Sequence, residues 1–291
     1  MRRPSVILAI LLTAAAAGLL VFSGRRESAV PVIASENLSN PLPQNKSVEV
    51  RYIANEGVLI SSKDKRVLID GLHRRYGPEY AFLPDTEREK IETAKPPFEK
   101  IDLLLVSHMH GDHFHAESVG RYLASSPTTV LASSQQVVDL VASNFTDYEK
   151  VKARITPVAY KLRDRRTVSL GGVEVEFLGV SHGTGRHSSI ENLAHVFKLG
   201  GKTFLHVGDA EITPEIFDSF DLETRGIDIA ILPYWFLTSV GGRAIIREHI
   251  KPKHLIAVHI GPGESESVKK QIDKEFPDAD VFGTMLEKRN F

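Results

Sequence analysis

The chain has 291 residues, enough to bury a full hydrophobic core as one large domain or two small ones. Its formal net charge is −1, from 36 Lys and Arg against 37 Asp and Glu, so composition gives no electrostatic sign of a nucleic-acid-binding protein. It contains no cysteine, which excludes disulfides, thiolate ligands and a cysteine nucleophile. Any transition-metal site must therefore use His and carboxylate side chains.

The N-terminus carries an uncharged run, SVILAILLTAAAAGLLVF, directly after a pair of arginines. This run predicts either a cleaved signal peptide or a retained membrane anchor within residues 1–23, since it is longer than a usual signal core and short for a spanning helix. Residues 24–47 are rich in Ser, Asn and Pro and predict a linker. We therefore expect an exported protein, periplasmic or extracellular, or a membrane-anchored one, with its folded domain at residues 48–291.

The first half of that domain predicts strands followed by alternating helices and strands. VEVRYIANEGVLISSKDKRVLIDG predicts three strands joined by turns, and residues 73–100 predict an irregular connection with one short helix. IDLLLV is a continuous apolar run typical of a strand buried on both faces. A helix over residues 116–126, the strand TTVLAS and the helix SQQVVDLVASN are expected next.

The second half begins with predicted hairpins and ends with further alternation. RTVSLGGVEVEFLGVS and NLAHVFKLGGKTFLHVGD each carry a Gly-Gly pair where a tight turn is expected. Helices near 214–220 and 241–250 surround the strand IDIAILP, and the strand HLIAVHI precedes a closing helix after Glu264. LPYWFLTSVGG, at 232–242, predicts a loop. The pattern as a whole predicts an α/β protein with mixed sheets and helices outside one core.

The stretch SHMHGDHFH gathers four of the twelve histidines of the chain. His108, His110, Asp112 and His113 spell H-x-H-x-D-H at the carboxyl end of the IDLLLV strand, the edge at which α/β sheets favour ligand sites. Imidazole and carboxylate together are a set of ligands for transition metals. The stretch therefore predicts a metal site, with His115 as a neighbour outside it.

Three further polar residues follow predicted strands in the same way: His182, Asp209 and His259. Since the carboxyl ends of such strands can meet at one edge of the fold, we expect these side chains to join the histidine-rich loop. His187, five residues after His182, is an alternative as the third histidine ligand. A structural role is the expected one for His195, inside the strand NLAHVF.

On these motifs the chain resembles the metallo-β-lactamase-fold hydrolase superfamily. GVLISSKDKRVLIDG is similar to the opening strands of the family, which end in an Asp (here Asp70), and GKTFLHVGDAE is similar to its Gly-Asp segment. SHMHGDHF matches its signature loop and AVHIG its last histidine. The spacing looks most like the branch of ascorbate-6-phosphate lactonase-like and N-acyl-phosphatidylethanolamine phospholipase D-like proteins. The resemblance implies a four-layer αββα sandwich with a dinuclear, usually zinc, centre at one edge.

The resemblance also implies the ligands. His108, His110 and His182 would hold one divalent ion, Asp112, His113 and His259 would hold a second, and Asp209 would bridge them. Zinc is expected at both positions, with manganese or iron as alternatives. Such a pair of ions activates a bridging hydroxide, which implies a hydrolase that cleaves an ester, lactone or phosphodiester bond, with Asp112 and His113 as catalytic residues.

Two departures from the family pattern weaken the inference of a substrate from the resemblance. Gly183 follows His182 where an aromatic residue is common, and Gly-Asp-Ala-Glu replaces Gly-Asp-Thr-Gly. A small-molecule or lipid-like substrate is expected, and no nucleic acid. Three residues are candidates for its pocket: Arg186, His187 and Trp235.

Other functions stay open at this point. The same fold with iron or manganese could run an oxidoreductase reaction, and a nuclease or phosphodiesterase is a further alternative. A non-catalytic metal-binding protein tethered to a membrane is the third. The sequence does not distinguish oligomeric states.

Overall fold

The computed structural model describes residues 47–291. The predicted signal or anchor within residues 1–23 and almost all of the predicted linker lie outside the described residues, and both stay predictions. Among residues 47–291, no helix has both the length and the apolar character needed to cross a membrane.

Fourteen strands and eight α-helices occur in the described part of the chain. The strands are β1 (Glu49–Tyr52), β2 (Val58–Ser61), β3 (Arg66–Ile69), β4 (Leu103–Leu105), β5 (Val130–Ser134), β6 (Ile155–Val158), β7 (Arg165–Leu170), β8 (Val173–Val180), β9 (Asn192–Leu199), β10 (Lys202–His206), β11 (Ile229–Pro233), β12 (His254–Val258), β13 (Asp280–Val281) and β14 (Lys288–Asn290). The helices are α1 (Asp85–Glu92), α2 (Ala116–Ser125), α3 (Gln135–Asn144), α4 (Tyr148–Val151), α5 (Pro214–Asp218), α6 (Tyr234–Thr238), α7 (Val240–Ile245) and α8 (Ser265–Ile272).

The strands form two seven-stranded mixed sheets. The order in the first is β14-β1-β2-β3-β4-β5-β6, and in the second it is β13-β12-β11-β10-β9-β8-β7. Strands β3 to β6 run parallel, with Ile69 opposite Leu105, and so do β10 to β13, with Leu232 opposite Ala257. The predicted hairpins form with the register expected of turns at the Gly-Gly pairs, since Leu170 pairs with Val173.

Three separate apolar cores define the layers. One core, around Phe204 and Phe177, draws its side chains from both sheets. A second joins the first sheet to α1–α4 through residues such as Tyr122, and a third joins the second sheet to α5–α8 through residues such as Phe236. Because each sheet is apolar on both faces, helices must cover the outer ones. The arrangement confirms the predicted four-layer αββα sandwich.

The structure differs from the sequence-based expectation in several elements. The prediction of a loop at 232–242 was wrong, because the segment completes β11 and then forms α6 and the start of α7. Phe236 and Leu237 of α6 are buried in the apolar core that joins the second sheet to its helices. Strand β14 was not predicted, since KRN is polar and pairs only with β1 at the sheet edge.

Strand direction brings five chain segments to one edge of the sandwich. Strands β3 and β4 run parallel and end at the same edge of the first sheet. In the second sheet β10 and β12 run the same way, and β8 does too, because it lies antiparallel to β9, which lies antiparallel to β10. The residues that follow these five strands therefore meet where the two sheets open.

Candidate metal centre

Seven side chains predicted from the sequence lie together at this edge. They form two donor sets that share one carboxylate. The first set is His108, His110, His182 and Asp209, and the second is Asp112, His113, His259 and Asp209.

Donor spacing in the second set fits one bound ion. His113 Nε2 and His259 Nε2 each lie 3.2 Å from Asp209 Oδ1. Asp112 Oδ2 lies 3.4 Å from the first of these nitrogens and 3.3 Å from the second. A tetrahedral ion with bonds of 2.0–2.1 Å holds its donors about 3.3 Å apart, so the four atoms already have the separation that such an ion requires.

The first set is more open. His182 Nε2 lies 3.2 Å from His108 Nε2 and 3.4 Å from Asp209 Oδ2, while His108 Nε2 and Asp209 Oδ2 are 3.9 Å apart. The rings of His110 and His182 are 4.5 Å apart and steeply inclined. Asp209 thus presents one carboxylate oxygen to each set, which is the geometry of a bridging ligand.

Buried polar atoms without hydrogen-bond partners also indicate a metal site. His113 Nε2, His259 Nε2 and Asp209 Oδ1 are buried and have no hydrogen-bond partner within residues 47–291. Buried polar groups in native proteins are almost always paired, and leaving one unpaired costs about 1–3 kcal/mol. Three such atoms that converge on one point fit a cation there, and the all-nitrogen-and-oxygen donor set suits a divalent transition metal.

The pKa shifts of the donor side chains also fit a bound cation. Burial lowers the pKa of His108 well below its ordinary value and also lowers the pKa of His110, so both rings are neutral donors. Burial would raise the pKa of Asp209, but the facing His259 and His113 rings hold it well below its usual range. Burial opposes the charged form of His259, yet Asp209 and Asp112 raise its pKa to about 10. A cation is therefore favoured at this point, and a bound metal would displace protons to reach it.

Unusual backbone conformations occur among the residues of the donor site. His259 and Asp70 adopt positive φ angles of 62° and 47°, which are uncommon outside glycine and cluster at functional sites. Gly111 lies within the histidine-rich loop. A Cβ there would lie 2.4 Å from the ring of Tyr76, so the glycine allows that ring to pack against the histidine-rich loop.

The positions of His182 and His187 distinguish the two candidates for the third histidine ligand. His182 belongs to the first donor set, whereas His187 stacks behind it with ring centroids 5.3 Å apart. Arg186 is exposed and donates through Nε to His187 Nε2 at 3.0 Å. His115 lies outside both sets, where its Nδ1 caps α2 by accepting from the backbone N–H of Ser118.

Trp235 lies beside the centre in α6. Its ring centroid is 5.0 Å from that of His259, and its Nε1 donates to the carbonyl oxygen of Ala210 at 3.2 Å. It borders two clefts, one on the His182 side of about 520 Å³ and one on the His259 side of about 280 Å³. Trp235 and His187 both line the larger cleft, together with the donors His182 and Asp209.

Asp70, which the sequence analysis placed only at the end of an opening strand, is a buried carboxylate that orients the ligands. Asp70 accepts from Ser107 through its backbone N–H at 2.7 Å and its Oγ at 2.5 Å, and from His113 Nδ1 at 2.9 Å. Ser107 Oγ also lies 3.0 Å from His108 Nδ1. These bonds fix the ring orientation of one histidine from each donor set.

Asn55 and Glu56 are functional neighbours that the sequence analysis missed. Asn55 Nδ2 donates to Asp112 Oδ2 at 3.1 Å, and its carbonyl accepts from the backbone N–H of His259 at 2.8 Å. Glu56 is fully buried, 3.3 Å from His113 Nδ1. The signal was available: both follow β1, which runs parallel to β3 through β2, so the strand-end rule that selected the other residues applies to them as well.

His195 is buried between the sheets, away from both donor sets, 5.4 Å from the ring of Phe177. Burial, with His206 nearby, lowers its pKa to about 3 from an ordinary value of 6.5. Below pH 6.5 the unfolded chain therefore binds a proton at His195 that the folded chain does not bind. The free energy of unfolding falls by about 1.4 kcal/mol per pH unit from there down to about pH 3. We expect His195→Leu to reduce the loss of unfolding free energy between pH 7 and pH 5 by about 2 kcal/mol.

Urea unfolding of both chelator-treated proteins at each pH measures this difference. Equal losses in the variant and the parent between pH 7 and pH 5 would contradict a buried neutral His195.

Comparisons with known proteins agree with this fold. The model of a family described as "Beta-lactamase superfamily domain" matches residues 65–271. A UPF0173 metal-dependent hydrolase of Pyrococcus furiosus is 26% identical over 219 residues, covering 73% of this chain and 84% of that protein.

Two solved structures show the same fold at low identity. Igni18, described as a novel metallo hydrolase from Ignicoccus hospitalis, aligns with a TM-score of 0.58 at 15% identity over 84% of this chain and 98% of its own. CmlA, a diiron β-hydroxylase from Streptomyces venezuelae, aligns with a TM-score of 0.54 at 13% identity over 84% of this chain and 54% of its own. With the family match over most of the domain, the chain belongs to the beta-lactamase superfamily and is a metal-dependent hydrolase of the metallo-β-lactamase fold.

Proposed function

We propose that the protein hydrolyses an ester, lactone or phosphodiester bond at a dinuclear centre with zinc in both donor sets. The observation that carries the proposal is Asp209, whose two carboxylate oxygens face different sets. A carboxylate shared in this way holds two ions close enough to act on one substrate.

Two divalent ions bound here would polarise the substrate oxygen and supply hydroxide near neutral pH. The chain supplies the positioning. Asp70 holds His113 through Nδ1, so that Nε2 points at the second donor set. Asn55 Nδ2 holds Asp112 in the same way, through Oδ2, the oxygen that faces His113 and His259. The Asp112 carboxylate would accept a hydrogen bond from the attacking water.

The spacing of the donors supports zinc over the alternatives, whereas their type does not distinguish zinc from iron or manganese. Each set offers histidine nitrogen and carboxylate oxygen without sulfur, and the atoms of the second set have the spacing of a tetrahedral ion. Zinc takes four such ligands readily, and catalytic zinc sites keep one position for water or substrate. The more open first set, with 3.9 Å between His108 Nε2 and Asp209 Oδ2, suits that role.

A chelator experiment tests the proposal. The purified protein is screened with ester, lactone, phosphodiester and β-lactam probes, as purified, after dialysis against chelator, and after zinc is restored. We expect hydrolysis of at least one of the first three classes, lost with chelator and recovered with zinc. Hydrolysis that survives metal removal would contradict the proposal, and so would inactivity towards all three classes in protein that carries two zinc ions.

A pair of variants in the same loop gives the matched control. His110→Ala removes a donor and is expected to abolish hydrolysis and lower bound metal. His115→Ala removes only a helix cap, worth about 1 kcal/mol of stability, and is expected to keep both. Full activity and metal content in His110→Ala would contradict the assignment of the first donor set.

A further inference from the structure

A small cleft adjoins the metal centre on the side of His259. Its walls come from the connection before α1, from α6 and from the turn after β12, and its volume is about 280 Å³. The lining residues are Pro78, Glu79, Tyr80, Tyr234, Trp235, His259, Gly261, Pro262 and Glu264. Since His259 belongs to the second donor set, a group held in this cleft would sit directly beside a bond under attack.

The side chains that line the cleft carry a net negative charge, because two exposed carboxylates outweigh the single positive charge that the raised pKa of His259 gives the metal-free protein. Its lining includes two carboxylates, Glu79 and Glu264, and neither Lys nor Arg. Neither carboxylate has an ion pair or a side-chain hydrogen bond within the part of the chain that the structure describes. Glu264 lies against the backbone at Gly261, where an added Cβ would come within 2.8 Å of its Oε2, so its position at the cleft depends on that glycine.

Four rings also line the cleft, and successive rings are steeply inclined to each other. The ring of Tyr80 lies 5.7 Å from that of His259 at 85°, and His259 lies 5.0 Å from Trp235 at 67°. Trp235 lies 5.6 Å from Tyr234 at 76°. Tyr80, Tyr234 and Trp235 thus line one small cleft together, and tyrosine and tryptophan rings attract organic cations.

We propose that this cleft binds an alkylammonium group of the substrate. The inference rests on the proposed hydrolytic function, because it places the cation beside the bond that the donor sets act on. An anionic group would meet Glu79 and Glu264 at the same position and be repelled. Aromatic faces and two free carboxylates are the chemistry that recognises quaternary or substituted ammonium, and a neutral group of the same shape would gain the apolar contact alone.

The single tryptophan of the chain makes the test direct, because Trp235 lines the cleft. The zinc-loaded protein is titrated with choline and, separately, with 3,3-dimethylbutan-1-ol, which has the same shape without the charge, while tryptophan fluorescence is recorded. We expect a saturable change with choline at a concentration at least about tenfold lower than with the neutral alcohol. Equal half-saturation by the two, or no saturable change with either, would overturn the inference.

Variants separate charge from shape. Glu79→Gln combined with Glu264→Gln is expected to remove most of the preference for choline. Glu266→Gln, an exposed glutamate two residues beyond Glu264 and outside the cleft, is expected to keep it. A preference that survives the double change would overturn the inference. The titration needs no turnover, so failure of the chelator test would remove the proposed hydrolysis while the choline result stood on its own.

Discussion

Asp209→Ala will abolish hydrolysis, with a fall in kcat/KM of at least about 10³-fold. The change removes a donor from both sets at once and leaves His113 and His259 facing each other without the carboxylate between them. Metal ions contribute several kcal/mol of transition-state stabilisation, and each 1.36 kcal/mol is tenfold in rate. Steady-state kinetics on the probe found in the screen, with bound metal measured on the same sample, checks the result.

His187→Ala is the matched comparison. His187 stacks on His182 but belongs to neither donor set, so its loss should leave the metal content unchanged and reduce kcat/KM by far less than Asp209→Ala. If His187→Ala were the more damaging change and also lost metal, the third histidine ligand would be His187 instead of His182.

Asp70→Ala will destabilise the metal-free protein by about 3–5 kcal/mol. The carboxylate is buried and accepts from Ser107 N–H, Ser107 Oγ and His113 Nδ1. Its removal leaves Ser107 N–H without a partner, and it takes from Ser107 Oγ and His113 Nδ1 their shortest hydrogen bonds in a site that water does not reach. Urea unfolding of chelator-treated protein measures this effect separately from metal binding.

The control for Asp70→Ala is Asp64→Ala. Asp64 is exposed in the turn between β2 and β3, and surface changes of this kind usually alter the free energy of unfolding by less than about 0.5 kcal/mol. A loss of less than about 1 kcal/mol in Asp70→Ala would show that these buried hydrogen bonds do not hold the ligand loop in place.

The sequence predicted most of the fold because its strands are buried and therefore strongly patterned. IDLLLV and IDIAILP are continuous apolar runs, and they form β4 and β11, which are interior strands of the two sheets. The Gly-Gly pairs mark two hairpin turns through backbone conformation alone, with positive φ at Gly171 and Gly200. These signals are local, so a single sequence is enough to read them.

Strands and contacts that depend on partners distant in the sequence were not predicted. Strand β14 exists because β1 offers an unpaired edge, and nothing in KRN itself indicates this. Tyr80 lies in an irregular connection and comes within 5.7 Å of the His259 ring through tertiary packing alone.

The seven donors were predictable for a simpler reason. Each follows a predicted strand within a few residues, and the topology brings the carboxyl ends of those strands to one edge. What spacing could not give is the division of Asp209 between two sets, which depends on the orientation of a single carboxylate. The narrower resemblance to lactonase-like and phospholipase-like proteins stays a prediction.

Metal stoichiometry tests the central claim most directly. Protein purified without added metal is analysed for zinc, manganese and iron by plasma mass spectrometry, alongside His182→Ala and His259→Ala, each of which removes a donor from one set. The account predicts two zinc ions per chain, falling to about one in either variant. A single ion per chain, or stoichiometric iron with no zinc, would contradict it.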